Sequence, residues 1–155
     1  MHGCPLRATV FFMNLIRVVF DTNVILDFLY FNNPNTSALL TKIQNREIEA
    51  IYSEETLFEL RDVLSRSQFK LTQQTVDRLI ESWTSIATKY DMTQSASTMC
   101  LDSDDQKFLN LALSAQAQYL VSRDKLVLRC RKKSAKEGFF ILTPEKLIES
   151  LNMNA

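Results

Sequence analysis

Two acidic residues follow apolar segments that are predicted to be buried strands. The end of such a strand is a position where a carboxylate can take part in catalysis. Asp21 comes directly after residues 16–20, and Asp124 follows residues 119–122 after one further position. Open α/β sheets carry their functional crevice at the carboxyl ends of parallel strands. Asp21 and Asp124 could therefore meet at one edge of a sheet if their two strands are neighbours.

Two further acids, Glu59 and Asp105, could join them. In a predicted helix capped by Ser53, Glu59 lies about 40° from Val63, at the border of the apolar face. It could thus reach inward along the edge of the core. Asp105 lies near the N-terminus of a later helix and reaches the same edge only if its loop carries it there. Each acid alone is more often a cap or a solvated side chain, but the pattern is more specific than its parts.

Four carboxylates gathered without a cation would repel one another, raising one or more of their pKa values. A bound Mg²⁺ or Mn²⁺ removes that repulsion, and both ions prefer hard oxygen ligands. Such a site lowers the pKa of bound water and stabilises the attacking and leaving oxygens in phosphodiester hydrolysis. The pattern does not distinguish one metal ion from two.

Scarce residue types exclude several other chemistries. His2 is the only histidine and stands beside the terminus, so Ser-His-Asp and Cys-His catalysis lack a credible base. Gly3 and Gly138 are the only glycines, so a glycine-rich phosphate loop is excluded. If the chain is an enzyme, carboxylates and a metal must carry the chemistry.

The cysteine pattern and the lengths of the apolar runs indicate a cytoplasmic protein. The three cysteines are far apart and form no Cys-x-x-Cys pair, which argues against a zinc cluster or a disulfide framework and fits a reducing compartment. No apolar run approaches the roughly 20 residues that span a membrane. We expect no membrane association.

Charge is unevenly spread over a chain whose formal net charge is zero. Residues 123–136 hold seven basic side chains and one acid, Asp124. Such a segment suggests an anionic partner that approaches one face. The alternative is an ordinary solvated loop.

Helices and strands alternate along the chain, which predicts an α/β fold with a mostly parallel central sheet and helices on both faces. Strands are expected at 16–20, 50–52, 119–122 and 139–142. Helices are expected at 37–44, after Ser53, at 72–90, after Ser103 and from Thr143. The length fits one domain, expected at 15–150. Residues 1–14 are expected to be an extension, either disordered or, if Met13 is the native start, not translated.

Four segments in order resemble the PIN (PilT N-terminus) domain family, in particular its VapC-like group of toxins from toxin–antitoxin pairs. They are residues 17–24 (RVVFDTNV), 53–64 (SEETLFELRDVL), 101–112 (LDSDDQKFLNLA) and 119–125 (YLVSRDK). The four family acids match Asp21, Glu59, Asp105 and Asp124, and the resemblance covers residues 16–147. Asp102 or Asp104 could share the role given to Asp105. The chain departs from the family in having Leu101-Asp102-Ser103 for Arg-Asp-Pro, and Leu126-Val127 where another acid is common.

The resemblance implies a metal-dependent ribonuclease that cleaves single-stranded RNA, with Mg²⁺ or Mn²⁺ held by the four acids. It implies that Thr22, Asn23 and Ser122 hold those carboxylates in place. It also implies a small antitoxin protein as partner, and a homodimer.

Two other functions compete with this one. The first is a catalytically weak RNA-binding or regulatory domain with the same fold, although an RNA binder gains nothing from clustered negative charge. The second is a phosphoaspartate receiver that uses Asp21, which the lack of a second acid beside Asp21 and the helical position of Glu59 disfavour.

Overall fold

The computed structural model describes residues 15–96 and 103–153. The predicted extension 1–14, which includes His2 and Met13, lies outside these residues, as does Asp102. The strands are β1 (Ile16–Phe20), β2 (Ile48–Tyr52), β3 (Ala87–Lys89), β4 (Tyr119–Val121) and β5 (Phe140–Leu142). The helices are α1 (Thr22–Leu29), α2 (Ser37–Gln44), α3 (Glu54–Leu64), α4 (Gln73–Ile86), α5 (Gln106–Ser114), α6 (Lys125–Leu128), α7 (Arg131–Glu137) and α8 (Pro144–Met153). Short 3-10 turns lie at Ser67–Phe69 and Ser103–Asp105.

The five strands form one parallel sheet in the order β3-β2-β1-β4-β5. The strand order reverses between β1 and β4, which pair from Val18 opposite Tyr119 to Phe20 opposite Val121. In open α/β sheets the crevice at such a reversal, outside the carboxyl ends of the strands, is the usual ligand site. The register therefore brings the ends of β1 and β4, and the residues that follow them, side by side.

Helices cover both faces of the sheet because successive β1 side chains point to opposite faces. Val18 and Phe20 join one core, where Phe20, Phe28 and the fully buried Trp83 pack against one another. Val19 joins the other core, which includes the α5 side chain Phe108. The predicted α/β fold, a mostly parallel sheet with helices on both faces, is confirmed.

One predicted helix ends earlier in the structure than expected. A helix was expected over 72–90, but α4 ends at Ile86 and the chain continues as β3, parallel to β2. Ala87 has extended angles, φ −108° and ψ 160°. The apolar spacing at Ala87 and Tyr90 continues the helical pattern, but pairing with β2 satisfies the backbone there. Tertiary pairing thus overrides local periodicity.

Other boundaries differ only slightly from the expected ones. Strand β2 starts at Ile48, and the segment from Ser103 begins as a 3-10 turn before α5. Among residues 15–96 and 103–153, no helix is long and apolar enough to cross a membrane.

Candidate metal centre

Asp21 stands where β1 ends and α1 begins. Its backbone N–H donates to Val121 O at 3.0 Å, which extends the pairing of β1 with β4. Its side chain is the N-cap of α1, with Oδ1 accepting from Val24 N at 3.0 Å. Aspartate is a favoured cap because its carboxylate satisfies a helix N–H that has no partner within the helix. Only 5% of Asp21 is exposed, so the carboxylate is held at the base of the crevice.

Ser122 connects the two strand ends. Its hydroxyl donates to Oδ2 of Asp21 and accepts from the backbone N–H of Asp124 at 3.0 Å. Ser122 is fully buried. One side chain therefore fixes the Asp21 carboxylate and the start of the turn that carries Asp124.

Burial raises the pKa of Asp21 to about 6. The hydrogen bonds from Ser122 and from the Val24 N–H act in the opposite direction, and the negative charges of Asp124 and Glu59 raise the pKa further. Carboxylates from three different elements therefore interact electrostatically at this position. A cation among them would favour the charged form of Asp21.

Glu59 lies on α3 and accepts two hydrogen bonds. The Thr22 hydroxyl donates to Oε2, and Lys107 Nζ lies 2.7 Å from Oε1. The Glu59 side chain is 22% exposed and that of Lys107 is 27% exposed. The position of Glu59 at the border of the apolar face of α3 therefore turns its carboxylate toward α1 and α5, away from bulk water.

Asp105 and Asp124 stand at the N-termini of two further helices. Asp105 ends the 3-10 turn and precedes α5. Asp124 caps α6, with Oδ1 accepting from Leu126 N at 2.8 Å. With Asp21, three of the four acids occupy helix N-caps, where the helix dipole favours negative charge.

All four predicted acids line one cavity of about 350 Å³ at the carboxyl edge of the sheet. Thr22 and Asn23, predicted to hold the carboxylates, line it as well. Asn23 is exposed, and its side chain has no hydrogen bond to any of the four acids among those described. Asp104 is exposed in the turn before Asp105, and the other predicted alternative, Asp102, lies outside the described residues.

The donor set suits a hard divalent cation, because carboxylate oxygens are the ligands that Mg²⁺ and Mn²⁺ prefer. In the conformation of the described residues, no three Asp, Glu, His or Cys side chains form a group that could hold a metal ion. In this conformation the carboxylates are instead held by hydrogen bonds to other groups of the chain. Ser122 donates to Asp21, Lys107 and Thr22 donate to Glu59, and the first turn of α6 donates to Asp124. The residues present fit a cation chemically, and a bound ion would compete with Lys107 for Glu59.

The basic segment 123–136 is mostly helical, in α6 and α7, and is not a loop. Its role as a surface for an anionic partner, or as an ordinary solvated surface, stays a prediction. Arg123 is not available as a surface cation, because it pairs with Asp27 and with Glu145, the latter at 2.8 Å. The other six cations are exposed and, within the described parts of the chain, form no ion pair: Lys125, Arg129, Arg131, Lys132, Lys133 and Lys136.

Sequence reasoning missed Lys107 and the side of the cavity formed by Phe31, Arg66 and Gln68. A signal for Lys107 was present, because it precedes the buried Leu111 by four positions and so borders the apolar face of α5. Glu59 borders the apolar face of α3 in the same way. Nothing in the sequence indicated that Phe31 would lie at the cavity.

The protein has an open α/β fold with a parallel sheet, and its acidic cavity lies where the strand order reverses. A family model described as "PIN domain" matches residues 17–126, well over half of the chain. The chain therefore belongs to the PIN domain family. Comparison with curated proteins gives no match.

Two solved structures are similar in fold. The first is VapBC2 from Rickettsia felis, bound to a DNA fragment from their promoter, with a TM-score of 0.56 and 13% identity over 82% of this chain and 97% of that chain. The second is PAE2754 from Pyrobaculum aerophilum, with a TM-score of 0.58 and 15% identity over 89% of this chain and 90% of that one. At such low identities the likeness shows the fold alone.

Proposed function

We propose that this PIN domain is a metal-dependent endoribonuclease that hydrolyses phosphodiester bonds of single-stranded RNA. The observation that carries the proposal is one cavity lined by Asp21, Glu59, Asp105 and Asp124, which come from four different elements. PIN domains are generally nucleases that use divalent metal ions, and membership of the family supports both parts of the proposal.

In this proposal the four acids hold Mg²⁺ or Mn²⁺. The ion supplies Lewis-acid stabilisation of phosphate oxygens and lowers the pKa of water. Ser122 keeps Asp21 oriented, Thr22 orients Glu59, and Lys107 balances the charge of Glu59 until a cation arrives. The exposed cations of α6 and α7 bind backbone phosphates of the strand, beginning at Lys125 beside Asp124.

The test is cleavage of single-stranded RNA by purified protein in Mg²⁺ or Mn²⁺, with a chelator as the negative condition. We expect wild-type protein to cut and Asp21→Asn to lose at least about a hundredfold in rate, because a neutral amide cannot replace a carboxylate ligand. Asp77→Asn is the matched control, since Asp77 is exposed, pairs with Arg61 and does not line the cavity. Equal cleavage by Asp21→Asn and wild type overturns the proposal.

The biological role in this proposal is that of a toxin restrained by a small antitoxin protein. Support comes from the fold shared with VapBC2, a complex whose structure contains promoter DNA. Expression in a bacterial host should arrest growth, and co-expression of the product of a neighbouring small reading frame should relieve the arrest. A homodimer remains part of the proposal, and sedimentation of the purified chain tests it.

A second candidate is a regulatory RNA-binding domain with weak catalysis. It is favoured by the hydrogen bonds that hold Glu59 to Lys107 and by the lack of a ready three-ligand group among the described residues. Calorimetric titration with Mn²⁺ separates the two candidates. Binding at micromolar to low millimolar levels supports the nuclease, and no binding in that range supports the regulatory domain.

A further inference from the structure

An exposed phenylalanine lies at the cavity that holds the acids. Phe31, just after α1, is 57% exposed and lines the same cavity as Asp21 and Glu59. Phe58 is even more exposed, at 75%, but is not among the residues that line this cavity. Because the Phe31 ring stays exposed, the protein lacks the stabilisation that burial of this ring would give. A ligand with an apolar face could recover that stabilisation at Phe31.

Two neighbouring rings brace Phe31. The centroids of Tyr30 and Phe31 lie 5.0 Å apart at 88°, and those of Phe31 and Phe69 lie 6.3 Å apart at 59°. Tyr30 and Phe69 also meet edge to face at 4.9 Å. Edge-to-face contacts are favourable arrangements of aromatic rings. The Phe31 ring is thus held in place with one part open to solvent, which lowers the entropy cost of stacking a ligand on it.

Charge at the same part of the cavity points to a phosphate-bearing ligand. Arg66 is the only cation among the described residues that line the cavity, and its side chain is 56% exposed. Its ion pair with Asp62, at 3.3 Å, is also exposed and so contributes little to stability. Arg66 can leave this pair at small cost, and its guanidinium suits phosphate oxygens. The four acids of the same cavity repel phosphates that no metal neutralises.

We propose that Phe31 and Arg66 form a subsite for one unpaired nucleotide beside the acids. The nucleobase stacks on the Phe31 ring, and a phosphate of the same strand contacts Arg66. A base inside a duplex has both faces covered by its neighbours, so stacking on Phe31 favours an unpaired base. The subsite rests on the proposed function, since it selects the single strand that the acids cut.

Tryptophan fluorescence tests the stacking directly. Trp83 is the only tryptophan and is fully buried, so Phe31→Trp adds an exposed indole whose emission a stacked base quenches. We expect a short single-stranded RNA, with a chelator present to prevent cleavage, to quench Trp emission in Phe31→Trp. The same strand annealed to its complement should not quench it, and Phe58→Trp should respond to neither. Equal quenching by strand and duplex, or none, overturns the subsite.

Binding affinity gives a second test in the same buffer. Phe31→Ala should bind the single strand about tenfold more weakly than wild type, which is the usual effect of removing one stacking ring. Phe31→Trp should bind at least as tightly as wild type, and Phe58→Ala should be unchanged. If Phe31→Ala and Phe58→Ala bind alike, the ring serves another ligand, such as a protein segment, and the proposal fails.

The two proposals fail in distinguishable ways. Quenching of Phe31→Trp without cleavage by wild type in Mn²⁺ retains the subsite and overturns the ribonuclease. Cleavage by wild type with no quenching retains the ribonuclease and overturns the subsite.

Discussion

The ammonium of Lys107 lies 2.7 Å from Oε1 of Glu59, so one of the four acids already has a cation of the chain as its partner. Thr22 donates to the other oxygen of the same carboxylate. A divalent ion that binds the four acids has to share or replace this partner. The affinity of the site for metal therefore depends on Lys107 as well as on the carboxylates.

Replacing Lys107 should strengthen metal binding. Lys107→Met removes a positive charge beside the bound ion, and a unit charge a few ångströms away at intermediate dielectric is worth roughly tenfold or more in affinity. Calorimetric titration with Mn²⁺ measures the change. Lys107→Arg keeps the charge and should bind like wild type, and Lys42→Met, at a partly exposed pair with Glu47, should too. Weaker or unchanged binding by Lys107→Met contradicts this account.

Ser122→Ala should lower both stability and activity. The partly buried N–H of Asp124 loses its acceptor and the buried Asp21 carboxylate loses a donor, which costs about 1–3 kcal/mol of the free energy of unfolding. Cleavage of RNA should fall by roughly tenfold, because both carboxylates lose their orientation. Urea unfolding and the cleavage rate are the two measurements.

Ser134→Ala is the matched control for Ser122→Ala. Ser134 is equally buried, and its hydroxyl donates to Arg131 O at 3.0 Å on α7. It should lose stability with no change in cleavage rate beyond the unfolded fraction. Parallel losses of activity in both variants would mean that Ser122 has no role at the site beyond folding.

The metal-free protein should become less stable as pH rises through the range in which Asp21 titrates. Its pKa is about 6 in the folded protein, above the ordinary value of 3.8. The folded state therefore binds this proton more tightly than the unfolded state, and its stabilisation is complete below about pH 4 and lost by about pH 6 to 7. The difference corresponds to about 3 kcal/mol.

Asp21→Asn isolates that contribution, because the amide is neutral at every pH in the range. In the presence of a chelator, Asp21→Asn should be more stable than wild type at pH 7, with the difference shrinking toward pH 4. Unfolding curves in urea at several pH values measure it, with Asp62→Asn as the exposed control. A wild-type advantage at pH 7 without metal would show that the buried carboxylate is not destabilising.

The exposed cations at α6 should contribute to RNA binding through phosphates. Lys125→Gln combined with Arg129→Gln removes two charges next to Asp124, so affinity should fall and its dependence on salt should become shallower. Fluorescence anisotropy of labelled RNA at several salt concentrations measures both. Arg78→Gln with Lys146→Gln makes the same charge change on other helices. Equal effects of the two pairs would indicate only a response to net charge.

Much of the fold could be predicted because the strands are short apolar segments that end at acidic residues or at helix N-caps. The convergence of Asp21 and Asp124 required β1 and β4 to be neighbours, which the sequence left conditional and the register settles. Strand β3 was missed because residues 87–90 continue the apolar spacing of α4, and only pairing with β2 decides their conformation.

The acids of the site were predictable because strand ends and the apolar faces of helices can be identified from the sequence. Glu59 is predictable from its place at the border of an apolar face. Lys107 has a similar place on α5, but a lysine there is typical of a solvated helix face, and its contact with Glu59 depends on how α3 and α5 pack. The contact of Phe31 with the cavity depends on how the segment after α1 packs against Phe69. No local pattern encodes that packing.

The most direct test of the central claim is to locate Mn²⁺ in crystals of the protein by anomalous scattering. We expect a peak within coordination distance of carboxylate oxygens of Asp21 and Asp124, with Lys107 moved away from Glu59. The peak should be absent from crystals of Asp21→Asn. A peak elsewhere on the protein, or none in wild-type crystals soaked in millimolar Mn²⁺, would contradict the assignment of this cavity as a metal centre.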